Sequence, residues 1–465
     1  MSVPTATDPS TRTYRTTNPA TGEVVREYPP LTDADADALL IRAHAAYQTW
    51  RRTPIAERVR LFRKFIELLE ANVDELAALV TTEMGKPLAQ SVAEMDMVTS
   101  TFRYYADNGE KLLADVETEI AGFTRAITRR EPVGVVLGIE PWNVPMYQAM
   151  RATAPNLMLG NTVLLKPSEI CAGSTLFFDH LFTEAGFPAD VYQTALVSTA
   201  QVSAYIADDR VRAVTLTGSD RAGSAVGEQA SRHIKPVVLE LGGSDAFIVL
   251  ESADVEAAAD TAAGLRLFLG GQFCNAPKRV IVTDAVADDF IARYVATFAA
   301  NTLGDPFDPA TTVGPLSSSV AADTLDAQYR DAVDKGATVL VAGGRVDGPG
   351  AFFTPAVLTD ITPDMRVFSE EAFGPLGMIY RVADAAAAVK LANESVYGLG
   401  GTVFGDSDAA REVAQQLDTG MVGINNFLGA PAEIPFGGTK RSGVGRELGA
   451  SGMDQFANIK TYGIS

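Results

Sequence analysis

Cysteine is almost missing from this chain: two thiols, Cys171 and Cys274, in 465 residues exclude a fold stapled by disulfides. Histidine is nearly as scarce. His44, His180 and His233 lie in unrelated segments without metal-ligand spacing, so no metal is expected and a Cys–His hydrolase is poorly supported. Basic residues are outnumbered 38 to 58, and the resulting net charge of −20 repels phosphate backbones and anionic membrane surfaces. Long apolar runs are absent too: no stretch reaches the ~18 residues of a membrane span, and residues 1–17 lack the apolar core of a secretory signal. The expectation is a cytoplasmic protein with neither nucleic-acid nor membrane partners.

What is present is ordinary globular material, 47% apolar and 21% charged, in a chain too long for one core, since single cores stop growing near about 250–300 residues. Residues 31–78 carry helical periodicity, and the Asp-rich opening at Asp33, Asp35 and Asp37 reads as a helix start. Short apolar runs at 133–139, 162–165, 213–217, 237–239 and 246–250 then alternate with amphipathic stretches such as 145–159 and 175–185. A second series follows at 280–283, 338–341, 356–358, 401–404 and 423–425. This alternation predicts two parallel-sheet α/β units in series.

Chemistry concentrates in a few segments. Cys274 stands in Gly270-Gly271-Gln272-Phe273-Cys274-Asn275, where a nucleophile and a small buried hydrophobe fit equally well. With no histidine near, the best proton acceptor is Glu240, in Leu239-Glu240-Leu241-Gly242-Gly243. Pro141-Trp142-Asn143-Val144-Pro145 is a rigid loop presenting an aromatic and an amide. Thr217-Gly218-Ser219 follows an apolar strand and opens a helix, a terminus that suits a phosphate but is also common strand–turn–helix grammar. Lys166-Pro167-Ser168-Glu169 ends another strand, where doubly wound sheets bind ligands, although surface charge is the plain alternative.

Taken together with Asn18-Pro19-Ala20-Thr21-Gly22, Glu370-Glu371-Ala372-Phe373-Gly374-Pro375 and the stretch from Pro435 to Glu447, these segments make the chain resemble the aldehyde dehydrogenase superfamily along nearly its whole length. The resemblance implies an α/β fold of two Rossmann-like parallel-sheet domains and a small β oligomerisation unit. It assigns residues 1–116 and 134–241 to the NAD-binding domain, 242–430 to the catalytic domain, and 117–133 with 446–465 to oligomerisation as a homodimer or homotetramer. It implies Cys274 as thiolate nucleophile, Asn143 with the Cys274 N–H as oxyanion donors, and Glu240 as the base that hydrolyses a thioester. It also places Lys166 and Glu169 on the adenosine ribose, Ser219 and Trp142 near the pyrophosphate, Glu371 on the nicotinamide ribose and Phe373 against the ring. Ser168, Thr217, Gly218 and Gly242 complete the cofactor set. Glu169 favours NAD over NADP, because a 2′-phosphate would meet a carboxylate.

Within the superfamily the segments 239–250 and 215–227 are most similar to bacterial succinate-semialdehyde dehydrogenases, which place an arginine for the substrate carboxylate where Arg151 stands. An arginine paired with a surface acid is the structural alternative. Tyr147, Phe273 and Phe427 join Arg151 as expected substrate contacts, and the aromatic ones, with Leu269 and a serine-free loop at 426–434, also suit a medium-chain aliphatic or aromatic aldehyde. A catalytically silent NAD-binding relative and a cofactor-independent thiol hydrolase are the remaining classes.

Overall fold

Alternating apolar and amphipathic segments become three larger sheets, beside three two-stranded ones, in the computed structural model, which describes residues 14–465. The first sheet orders its strands Gly443–Val444, Val237–Glu240, Val211–Thr217, Val135–Ile139, Thr162–Lys166 and Tyr192–Thr194, parallel except at Gly443–Val444. Its central strands, VVLGI and TVLLK, are apolar and almost wholly buried because helices cover both faces. Sequence order reverses between Val135–Ile139 and Val211–Thr217, and ligands of open α/β sheets bind beyond the strand ends at such a point. The loops leaving this crevice are those of Trp142-Asn143 and of Gly218-Ser219.

Helix Pro145–Leu159 starts from a proline at its first turn and is buried along its whole length between the sheet and the aromatic cluster of Phe62, Phe65, Phe102 and Phe178. It ends at Gly160, whose φ of 107° favours glycine and whose Cβ, if present, would lie 2.8 Å from Arg58 Nη2.

The second sheet runs Thr338–Val341, Ala356–Thr359, Leu376–Val382, Pro277–Thr283, Asp245–Val249, Gly401–Phe404 and Gly423–Ile424, with only the first antiparallel to its neighbour. The sequence reading places no strand at 376–382 or 192–194. The former, LGMIYRV, is broken by Gly377 and Arg381, and the latter is only three residues long, so neither forms a clear apolar run. The third sheet is antiparallel: Ala457–Ile464 pairs along its full length with Arg125–Pro132, which also pairs with Val116–Thr118. Most of its residues are exposed. Among the described residues no helix is long and apolar enough to cross a membrane.

Candidate active site

The two large α/β units meet at Cys274. A cavity of about 220 Å3 on the nucleotide side is lined by Pro141, Trp142, Asn143, Thr217, Gly218, Ser219, Gly242, Glu371 and Phe373, with Cys274 in its wall. A second, of about 230 Å3, has Cys274, Asn143 and Gln148 in common with the first and adds Tyr147, Arg151, Phe268, Phe273 and Phe427. Its wall is mainly apolar. The thiol therefore faces both a glycine-edged seat and an aromatic funnel.

Local chain chemistry positions each group. Asn143 is held from behind by a buried ion pair between Lys86 and Glu94. Lys86 Nζ donates to the Asn143 carbonyl at 3.4 Å, while Glu94 Oε1 accepts the N–H groups of Met146 and Tyr147 at 2.7 and 2.9 Å, satisfying the first turn of the helix. Ser219 caps helix Asp220–Arg232 by accepting the Ala222 N–H at 3.3 Å. Glu371 reaches across the cavity because Gly242 has no side chain: a Cβ there would sit 2.4 Å from Glu371 Oε2. Trp142 and Phe373 meet edge to face at 5.7 Å. These features fit a dinucleotide's nicotinamide end: flat aromatic walls, backbone close approach, a helix N-terminus and the buried, unpartnered hydroxyl of Thr217.

Burial pushes the Cys274 thiol up to about 11; Lys278 and Arg151 oppose that rise, and Glu371 and Asp245 add to it. Glu240 closes strand Val237–Glu240, and its carboxyl lies against Gly437, where a Cβ would be 2.4 Å from Oε1. It lines neither cavity. Both its oxygens are buried without partners, and burial holds it well above the usual carboxylate range, with Glu447 adding to the rise and Arg151 opposing it. Glu140, equally buried, is raised in the same way, burial first and Glu447 next.

Arg151 is buried, with its guanidinium ion-paired to Glu447 and its Nε 2.5 Å from Oε2. Its partner is thus an interior acid and not a surface one, and Thr215 Oγ1 donates to the other Glu447 oxygen at 2.8 Å. Burial is the largest influence and opposes the Arg151 charge, but the combined pull of Glu447, Glu240, Tyr147 and Cys274 outweighs it. Tyr147 donates to the Ala430 carbonyl, tying the helix to the loop at 426–434. Phe273 lies edge-on to Phe427 at 6.4 Å and to Phe268 at 5.9 Å.

Lys166, Ser168 and Glu169 sit outside this junction, beyond the neighbouring strand end. Lys166 Nζ pairs with Glu169 Oε1 at 3.0 Å and lies 5.5 Å from the Tyr14 ring. Sequence reasoning passed over Lys278, Glu140, Glu447 and the Lys86–Glu94 pair. The one available signal was charge inside apolar context, as in Ile139-Glu140-Pro141 and Pro277-Lys278-Arg279-Val280.

The sequence model described as "Aldehyde dehydrogenase family" matches residues 6–462. The chain is 49% identical over 450 residues to a succinate-semialdehyde dehydrogenase (NADP(+)) of Deinococcus radiodurans, covering 97% of this chain and 94% of that one. It is 45% identical over 453 residues to succinate-semialdehyde dehydrogenase (NADP(+)) 1 of Mycobacterium tuberculosis, with 97% and 99% covered. Its structure is similar to the crystal structure of succinic semialdehyde dehydrogenase from Streptococcus pyogenes in complex with NADP+, at a TM-score of 0.95, 38% identity, and 97% and 99% coverage.

Proposed function

The chain belongs to the aldehyde dehydrogenase family, and on that premise we propose that Cys274, Asn143 and Glu240 carry its oxidation of an aldehyde to the carboxylic acid, with succinate semialdehyde as substrate. The observation that carries this reading is the place of Cys274 in the shared wall of two cavities, one suited to a nicotinamide dinucleotide and one to an aldehyde. As thiolate, Cys274 adds to the carbonyl carbon to give a thiohemiacetal whose oxyanion accepts from Asn143 Nδ2 and the Cys274 N–H. Losing one such donor typically reduces the rate ~10²–10³-fold. A nicotinamide cofactor, when bound, supplies the acceptor for the hydride leaving that carbon. The resulting thioester on Cys274 is hydrolysed by water with Glu240 as base, so the product is the free acid. Burial favours the protonated form of Glu240 in its niche, and the carboxyl must lose its proton and turn toward Cys274 before it serves.

Arg151, at the base of the aromatic funnel, supports a carboxylated aldehyde, as do the names of the relatives. The apolar wall of Phe268, Phe273 and Phe427 favours a second reading, a medium-chain or aromatic aldehyde. Glu169 beside Lys166 supports NAD, whereas the relatives' names support NADP. The exposed three-stranded sheet, with an open edge and with Val116, Phe123 and Ile459 at the surface, supports an oligomeric assembly in a cytoplasmic enzyme. The same sheets support a division into cofactor, catalytic and oligomerisation parts near residues 116, 133, 241 and 446.

The test is kcat/KM for succinate semialdehyde, glutarate semialdehyde, hexanal and benzaldehyde, each with NAD and with NADP. Cys274→Ala is expected to abolish reduced-cofactor production from all four while leaving the fold intact. Turnover surviving that substitution defeats the assignment of the nucleophile, and neutral aldehydes matching the semialdehydes defeat the substrate.

A further inference from the structure

Lys278, four residues beyond Cys274 and inside strand Pro277–Thr283, is a fully buried ammonium. Its Nζ donates to the Phe273 carbonyl at 3.0 Å and to the Cys274 carbonyl at 2.5 Å, and pairs with Glu371 Oε1 at 2.9 Å. Three acceptors use the three N–H bonds of the group. Glu371 Oε1 also accepts the Gly243 N–H at 3.1 Å, and a Cβ on Gly243 would lie 2.6 Å from the Cys274 carbonyl oxygen. Nucleophile backbone, buried cation and cofactor-side carboxylate therefore form one closed knot.

The Phe273 carbonyl belongs to the same peptide unit as the Cys274 N–H. Fixing and polarising that carbonyl fixes the N–H and strengthens it as a donor, by roughly 10–30% per cooperative bond in condensed-phase estimates. Among the described residues the Cys274 N–H has no acceptor of its own, which leaves it for a ligand. The thiol, raised by burial, finds in Lys278 the foremost group that opposes the rise.

We propose that Lys278 is a positioning residue for the oxidation: its bonds to two carbonyls aim the Cys274 N–H at the developing oxyanion, its charge favours the thiolate, and its bond to Glu371 ties both to the nicotinamide-side cavity. The proposal rests on the reading of Cys274 as the nucleophile. A buried lysine serving only as a strut would hold the same carbonyls without affecting the thiol's titration.

The test uses the full-length protein with Lys278→Met and Lys278→Arg. Two quantities are read: the pH dependence of iodoacetamide labelling at Cys274, located by peptide mapping, and kcat with KM for aldehyde and cofactor. In Lys278→Met the labelling midpoint is expected to move up by about one unit, making labelling ~10-fold slower near neutral pH. Its kcat is expected to fall ~10²–10³-fold, as for a lost oxyanion donor, while Lys278→Arg restores the midpoint. A folded Lys278→Met protein with the wild-type midpoint overturns the proposal. Should that variant not fold, Lys278→Gln keeps an N–H donor for the two carbonyls and removes the charge, so the midpoint is again expected to move up; an unmoved midpoint there overturns the proposal equally. Labelling needs no turnover, so an aldehyde-inert wild-type protein would sink the oxidation reading while the Lys278 result stood by itself.

Discussion

Arg151→Leu separates the ion pair that this side chain makes in the structure from the substrate contact proposed for it. The guanidinium is buried and ion-paired with Glu447, with the Phe436 ring 4.3 Å from its Cζ. Deleting it strands the Glu447 carboxylate in the interior with only the Thr215 hydroxyl to satisfy it. Breaking one side of a buried pair typically destabilises by about 3–5 kcal/mol. Replacing both partners with apolar residues is often neutral, so Arg151→Leu/Glu447→Leu is expected to recover most of that loss, short of about 1 kcal/mol for the orphaned Thr215. Urea denaturation at matched pH measures both variants.

The proposed substrate contact is read in kcat/KM. A charge-assisted contact to a substrate carboxylate is worth about 2–3 kcal/mol, or roughly 30- to 150-fold in kcat/KM. The double variant, with its stability restored, is therefore expected to lose ~30-fold or more on succinate semialdehyde relative to hexanal, because the support that Arg151 lends the thiolate is lost for both aldehydes alike. Two results would refute the reasoning. A single variant destabilised by less than about 1 kcal/mol would contradict the buried pair, and a double variant equally impaired on both aldehydes would show that Arg151 is a strut and that the substrate carboxylate is held elsewhere.

Glu240→Gln is expected to give a burst of one reduced cofactor per subunit in stopped flow and then a steady state slowed ~10²–10⁴-fold, because hydride leaves before the base is needed; an undiminished steady state would remove Glu240 from hydrolysis. Gly437→Ala places a Cβ 2.4 Å from Glu240 Oε1 at a φ of 148°. It is expected to destabilise by about 1–3 kcal/mol and to lower kcat, with iodoacetamide labelling of Cys274 unchanged. Asp179 is raised to about 6, chiefly by burial against the restraint of its bond from the Thr194 N–H. The fold thus favours the protonated acid, a contribution complete below the unfolded carboxylate value and lost as pH rises through 6. Asp179→Asn, whose oxygen still accepts from Thr194, should match wild type near pH 4 and exceed it in urea midpoint above pH 6; a constant difference across that range would contradict the sign.

The residues legible in the sequence share one property: each sits where local chain chemistry is unusual. Asn143 lies between two prolines, Ser219 at a strand-to-helix turn, and Cys274 after a pair of glycines, and all three reach the same junction. Those that were not legible are ordinary charged residues made special by distant packing. Lys278 matters because Glu371 returns to it from the far side of the second sheet's sequence, and Glu447 because Arg151, almost 300 positions earlier, meets it in the interior. Periodicity reads a charge as a surface mark, and no local pattern says otherwise. The strand at Leu376–Val382 escaped for a related reason, since its place comes from neighbours on both sides and not from its own interrupted apolar run.

Burial of both reacting groups has a joint consequence for the chemistry. With Cys274 raised to about 11 and Glu240 well above the usual carboxylate range, burial favours the thiol and the carboxylic acid, the opposite of the forms that the proposed steps use. For each the largest cause is burial, and for each Arg151 is among the groups favouring the ionised form. Glu447, pinned by Arg151 and Thr215, works in the opposite direction on Glu240 and Glu140. Around that Arg–Glu pair, ionising both Glu140 and Glu240 places two charges of one sign in the interior, and a proton retained on Glu140 favours the ionised form of Glu240. The thiolate draws first on Lys278 and the carboxylate first on Arg151, which also favours the thiolate, so removing Lys278 disturbs the thiol and not Glu240, whereas removing Arg151 disturbs both.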